Sequence, residues 1–448
     1  MSHIVIAGGG VAAVEAVAAL RALAGPLPRI TLLAPDDELP QRAASVAAPF
    51  GFGMRGPVAF DAIRKHARFD LHRGTLARVE ADDHVAVDDT GEPIGYDKLL
   101  IAIGAVQQPA LDGALTFGGP RDVPSVSRAI DEASSLAFVV SSPSDWALPA
   151  YELAIMAAVD LRDRGREPRI TIVTAEPAPL WVFGEQASTA IAELLAARGI
   201  ALRTGVHAGS VRDEALEHAD RVIALPRLVG PAIAGLPHGP HGFIEVDAHG
   251  RVPEVPDVFA AGDATTFPLK QGGLATQQAD AAAEAIAAEL GVPVTPAPFR
   301  PTLRGLLLTG GAPLYLRSSL TLAGDVQAGD ARPTRRRPAT AVSQRPLWWP
   351  PSKIAGRYLA PLLATARPPQ LATAPLQDLS GASSGPDERD EVRELALLLA
   401  DEEAAAGDYA RAVHALDAAA ALTGDLLPPE WAQRREDWTA AAAGGDAA

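Results

Sequence analysis

Residues His3–Leu23 read HIVIAGGGVAAVEAVAALRAL. An apolar run gives way to glycines and then to small and apolar residues, which predicts a buried strand, a glycine turn and a helix. Gly8, Gly10 and Ala13 fit the pattern G-x-G-x-x-A. In that pattern the first glycine permits a tight turn and the second lets the backbone approach a pyrophosphate. The alanine allows close helix–strand packing, and the phosphates face the positive end of the helix. The next strand, in RITLLAPDDE (Arg29–Glu38), should end in an acid that binds ribose hydroxyls. Ala34 stands there, and Asp36, just beyond it with Asp37, is the candidate contact.

Further along, the apolar run LAFVV enters SSPSDWALPAYE (Ser141–Glu152) and continues as LAIMAAVDLRDRG. This is again a strand, a turn and a helix, but the turn holds no glycine. It carries Pro143, Pro149 and the bulky Trp146, which disfavour a close backbone approach to a dinucleotide. With the strands AFVV, RITIVTA and RVIALP, and helices expected over Tyr151–Arg164 and Glu185–Arg198, it predicts a second Rossmann-like layer.

Composition narrows the function. The chain has 448 residues, 48% of them apolar, enough for two or three domains with their own cores. A formal charge of -16 argues against nucleic acid as a partner. The absence of cysteine excludes disulfides, thiolate metal sites and every cysteine-based catalytic step. His207, His238, His241 and His249 show no metal-ligand spacing, so no metal site is expected. Neither a basic leader nor an apolar run near the ~18 residues of a membrane span is found. A cytoplasmic protein is expected, or one peripheral on the inner face of the membrane.

Two other segments carry a resemblance. YDKLLIAIGA (Tyr96–Ala105) resembles the strand-to-glycine segment by which flavoproteins with two dinucleotide-binding domains leave their FAD domain, and VPEVPDVFAAGDATTF (Val252–Phe267) resembles the segment by which they return. The resemblance implies a glutathione-reductase-like α/β fold with two Rossmann-like domains. Residues 1–108 and 242–325 would form a split FAD domain, with residues 109–241 inserted in it. It further implies FAD as cofactor, with Gly104, Gly262 and Asp263 at its site and Asp263 on the ribityl chain. KQGGLATQQADAAAEAIAAEL (Lys270–Leu290) follows, and its helix should begin near Gly272 and Gly273, where unpaired N–H groups can stabilise negative charge on a reduced flavin. Lys270 is either a second positive group there or a solvated surface lysine. Arg42, in QRAASVAAPFG (Gln41–Gly51), is either beside the flavin or simply exposed.

Pro149, Ala150, Tyr151 and Glu152 match a P-x-Y-E segment of the branch that includes sulfide:quinone oxidoreductases and resembles type II NADH dehydrogenases. The sulfide enzymes carry a catalytic cysteine near the position of Trp146. The resemblance therefore implies an FAD-dependent oxidoreductase passing electrons from a small donor to a quinone or other acceptor by another route than cysteine. Glu152 is the candidate proton carrier, or else a charge that stabilises its helix end, and Trp146 is expected to narrow the donor pocket. An NAD(P)H:acceptor reductase and a flavin-binding scaffold without turnover are the alternatives.

After about Ser319 the sequence turns polar and rich in Gly, Pro and Arg, which reads as a linker. Residues 326–384 comprise this linker and the aromatic, basic stretch RPLWWPPSKIAGRYLAPLLA. Its Trp348 and Trp349 suit contact with an anionic membrane surface; packing on the chain's own FAD domain is the alternative. Residues 385–440 read as a helical hairpin around Gly407 resembling one tetratricopeptide repeat, which would dock on the main body or a protein partner.

Overall fold

A computed structural model describes residues 2–51, 56–142, 145–206, 218–239, 241–319, 340–366 and 429–444, with isolated positions between them. The opening stretch forms strand β1 (His3–Ala7) and helix α1 (Val11–Ala24). β1 is flanked by β2 (Arg29–Ala34), which in turn pairs with β3 (Asp70–Arg73), and on its other side by β4 (Lys98–Ile101). The strand Val258–Ala260 completes this parallel sheet beyond β4. Strand order reverses between β1 and β4, so a crevice opens at their carboxyl ends.

The chain leaves this unit through β5 (Val106–Gln108). A second parallel sheet follows, made of β6 (Leu115–Thr116), β7 (Ser135–Val140), β8 (Arg169–Thr174), β9 (Ala201–Arg203) and β10 (Arg221–Ala224). Its order is β6-β10-β7-β8-β9, the same reversal repeated. The return strand β11 (Arg227–Val229) pairs antiparallel with β5. Helices α2 (Val123–Glu132), α3 (Leu148–Asp163) and α4 (Glu185–Ala197) belong to this unit. α3 starts three residues before the expected Tyr151. Pro149 sits in its first turn, where the missing N–H costs no helix bond. Glu152 therefore lies one turn inside the helix, and the idea that it merely charges the helix end does not hold.

Helix α5 (Gly272–Glu289) packs along α1 through alanines, among them Ala12, Ala13, Ala16, Ala275, Ala279 and Ala282, all buried. Small side chains let the two axes approach closely, and their amino ends lie together.

An antiparallel sheet of β12 (Thr302–Leu307), β13 (Leu314–Ser319) and β14 (Thr340–Ser343) follows. The expected linker thus ends in a strand: Thr340–Ser343 rejoins the sheet because β13 offers it a free edge. The aromatic stretch then crosses back over the first unit and ends in α6 (Leu359–Ala366). Trp348 is only 5% exposed, packs edge-on against Tyr315 at 5.1 Å and donates from Nε1 to the Ser352 carbonyl. Trp349 is half-buried with its Nε1 enclosed. The chain itself thus covers Trp348, while Trp349 keeps part of its surface accessible. Among the described residues no helix is long and apolar enough to cross a membrane. Most of the hairpin, Gly407 included, lies outside the described residues. Helix α7 (Pro429–Gly444) is described, with Trp431 and Trp438 in edge contact.

One carboxylate fixes where the tail lies. Glu15, fully buried in the apolar α1, accepts the backbone N–H groups of Tyr358 and Leu359, both at 2.7 Å. Those are N–H groups of the α6 amino end, which a helix leaves unpaired. Gly356 makes room, since a Cβ there would strike the Glu15 carboxylate. Burial pushes the Glu15 carboxyl up, and these N–H bonds oppose the shift. Glu15→Ala should cost about 1–3 kcal/mol in urea unfolding and speed tryptic cleavage at Arg357. Glu15→Gln, which keeps an acceptor, should recover part of both.

Candidate functional site

The carboxyl end of β1, the amino ends of α1 and α5, and the loop after Val258–Ala260 converge. Gly8 has φ 127°, and a Cβ on it would strike the Ala102 carbonyl, so only glycine fits this turn against β4. Gly10 differs: a Cβ on it would meet no protein atom within 4 Å. It is the N-cap of α1 and has no side chain to occupy the first-turn N–H groups, which leaves them for an anion. Gly262 wedges between Ala12 and Ala275, at 3.3 and 3.2 Å from where its Cβ would stand, and donates its N–H to Gln278. This close fit sets the Asp263 backbone between the two helix ends.

Asp263 takes no hydrogen bond from any described residue, and its enclosed carboxyl is pushed up by burial and held back by Lys270 and Arg42. A half-buried carboxylate without a hydrogen-bond partner among the described residues suits a ligand hydroxyl. Lys270 is no solvated surface lysine: its ammonium donates to the Thr265 carbonyl and lies 4.0 Å from the centre of the Phe243 ring. Burial lowers its pKa to about 8 against the pull of Asp263. Arg42 is exposed, yet its stem lies against Gly119 and its charge reaches Asp263. Gln271 caps α5 through its side chain on the Leu274 N–H. Gly272 abuts Val11, and Ile354 covers it. Gly273 lies against its own cap, and Gly104, at φ 78°, lies in open space beyond β4. Asp36 is exposed, just past the end of β2. The end of β2 is filled by Ala34, 3.1 Å from where a Cβ on Gly9 would stand, with Phe60 beside it.

A family model described as pyridine nucleotide-disulphide oxidoreductase matches residues 2–286, the span of both parallel sheets. The chain belongs to that family. It is an FAD-dependent oxidoreductase. The sulfide:quinone oxidoreductase of Aquifex aeolicus has the same fold at 18% identity and a TM-score of 0.65, over 77% of this chain and 87% of that one. A ferredoxin reductase from Rhodopseudomonas palustris follows at 19% identity and 0.57, over 72% and 83%. The reductase in a putidaredoxin reductase–putidaredoxin complex matches at 17% identity and 0.55, over 72% and 82%. The glycine turn, the open space at Gly10 and the unpartnered Asp263 fit the flavin nucleotide this family uses.

The inserted unit uses the equivalent position differently. β8 repeats the RIT of β2, and two residues past its end stands Glu176, where an acid would bind a nucleotide ribose. Glu176 is buried and accepts the Tyr151 hydroxyl at 2.8 Å and the Thr174 hydroxyl at 3.0 Å. Burial raises its pKa to about 7. Trp146 lies 5.9 Å from Phe183, ring to ring, and adds to the same core. In the turn, Asp145 accepts the Ser142 N–H, and burial raises its pKa to about 6. Sequence reasoning passed over Glu176, although aligning the two RIT strands would have found it.

Glu152 has a partner that the sequence did not disclose. Its Oε1 accepts the Leu308 N–H at 2.8 Å and the ammonium of Lys353, while Oε2 is enclosed without a partner among the described residues. Burial pushes Glu152 up and Lys353 down, and the charge of each opposes the other's shift. Ile354, the next residue, is the one that covers Gly272. The pair therefore stands close to the convergent helix ends.

Two outcomes separate the roles of these residues. Gly8→Ala should destabilise the fold itself, whereas Gly10→Val should melt within ~1 kcal/mol of wild-type apoprotein yet purify colourless; flavin absorbance and urea melts decide. Glu176 binds its proton more tightly folded than unfolded. Its contribution is complete below the unfolded value of 4.5 and is lost as pH rises through about 7. Glu176→Gln cannot ionise, so between pH 5 and pH 8 its stability relative to wild type should improve by roughly 2–3 kcal/mol.

Proposed function

We propose that the chain passes electrons from a small donor through FAD to a quinone or another acceptor, without nicotinamide and without cysteine. The observation that carries this reading is the inserted unit filling its own nucleotide position, with Tyr151 on Glu176 and a glycine-free turn at Ser141–Pro149. A ribose cannot reach an acid whose oxygen is already taken inside the core. Residues 1–108 with 242–325 form the FAD domain in this reading, and residues 109–241 the domain that shapes the donor and acceptor side.

Bound FAD supplies the two-electron redox chemistry. The Gly8–Gly10 turn and the amino end of α1 would hold its pyrophosphate, and Asp263 would accept from its ribityl hydroxyls. The amino end of α5 and Lys270 stabilise negative charge that arrives with electrons. Glu152 and Lys353 hold a proton that can be delivered to, or taken from, the reacting side. Trp146 narrows the donor entrance. The Aquifex protein with this fold uses sulfide and quinone according to its name, which supports a quinone as acceptor here while the missing cysteines point to another donor route. The C-terminal hairpin is assigned to a protein partner.

Anaerobic stopped-flow reduction with NADH, NADPH, sulfide and quinols in parallel tests the reading. NADH and NADPH should bleach the flavin slowly and without saturation, while a small donor reduces it and a soluble quinone restores the colour. Fast, saturable bleaching by either nicotinamide would overturn the proposal.

A further inference from the structure

The ribbon of β5 and β11 that joins the two parallel-sheet units places Gln108 opposite Arg227. Past β11 the chain is met by the loop that carries His238, His241 and Gly242. Backbone bonds knit the two together: Gly230 N–H to the His241 carbonyl at 2.8 Å, and Ala232 N–H to the Gly242 carbonyl at 3.0 Å. Glycine makes this approach feasible, because a Cβ on Gly230 would strike the Gly242 backbone, and Gly242 itself has φ 78°. Further bonds from Gly242 N–H to Gly239 and from Gly239 N–H to Phe243 close the loop on itself. Its shape is thus set by main chain, and its side chains are left over for another use.

They line a shallow, open cleft of about 400 Å³ at the end of the ribbon, with the exposed Arg227, His238 and His241 and with Gln108 around it, and no carboxylate in its wall among the described residues. That is unusual in a chain with 55 acidic and 39 basic residues. Arg29, Arg78, Arg164, Arg221 and Arg251 are each neutralised by a carboxylate. Arg227 instead donates to the Gln108 amide oxygen at 2.6 Å, which fixes the guanidinium without cancelling its charge. His238 Nδ1 donates to the Gly239 carbonyl at 3.1 Å, and Nε2, without a partner among the described residues, becomes a second donor in the doubly protonated ring. A guanidinium held on one arm, with imidazolium donors beside it, suits a tetrahedral oxyanion.

We propose that this cleft binds a small tetrahedral oxyanion, a free phosphate or the phosphate of a nucleotide, on Arg227 with His238 and His241. None of these residues belongs to the glycine turns around Asp263.

Isothermal titration of the flavin-loaded protein with inorganic phosphate and, separately, with AMP tests it. One saturable equivalent per chain is expected. Arg227→Gln and the double change His238→Gln, His241→Gln should each weaken it by about tenfold or more, with flavin content and melting temperature unchanged. AMP binding about tenfold tighter than phosphate assigns the site to a nucleotide phosphate, and equal affinities assign it to the free oxyanion. Absence of saturable binding with both probes, or binding that survives Arg227→Gln undiminished, would overturn the proposal.

Discussion

Two buried glutamates, one on the helix that follows the central strand of each parallel sheet, hold the same C-terminal segment. Glu15 on α1 takes the N–H groups that open α6, and Glu152 on α3 takes the Lys353 ammonium a few residues earlier. Each carboxylate would be costly alone in an apolar helix, and each is stable because the tail brings donors to it. The tail in turn covers Gly272 and packs Trp348 against Tyr315, which closes the region where the amino ends of α1 and α5 meet. The arrangement of site, tail and inserted unit depends on these two contacts.

The two units share one topology and differ in what their turns are built to meet. In the first, glycines at 8 and 10 let main chain press against β4 on one side and leave open space on the other, and Asp263 takes no hydrogen bond among the described residues. In the second, the acid that follows β8 is turned inward onto Tyr151 and Thr174, and Trp146 packs into the core. The first unit keeps its polar groups for a ligand. The second has satisfied them internally, and Glu152, one position after Tyr151, faces the tail. Neighbouring residues of one helix thus serve two contacts, Tyr151 on Glu176 and Glu152 on Lys353.

Much of this was legible where the signal is local. HIVIAGGG and AAGD each carry strand, turn and helix end within a few residues, and the parallel order of both sheets follows from the alternation of strands and helices. Pairs distant in sequence were not legible. Lys353 reads as a basic residue in an aromatic stretch, and Glu15 as an acid that any helix might turn to water. Their partners lie on segments that only the fold brings together. Trp348 shows the same limit: an apolar, aromatic stretch has one appearance whether a membrane or the chain's own Tyr315 covers it. Thr340–Ser343 has too few residues to announce a strand, and its place was decided by the open edge of β13.

The central claim is that Glu152 and Lys353 act as one unit in moving the proton that accompanies flavin oxidation. A double-mutant cycle on the reoxidation of pre-reduced protein by a soluble quinone measures this directly, with Glu152→Gln, Lys353→Met and both together. The account predicts that each change slows reoxidation by ~10²-fold with flavin content retained, and that the double variant is no slower than the worse single one. Slowing that multiplies in the double variant, or single variants that reoxidise at the wild-type rate, would contradict it.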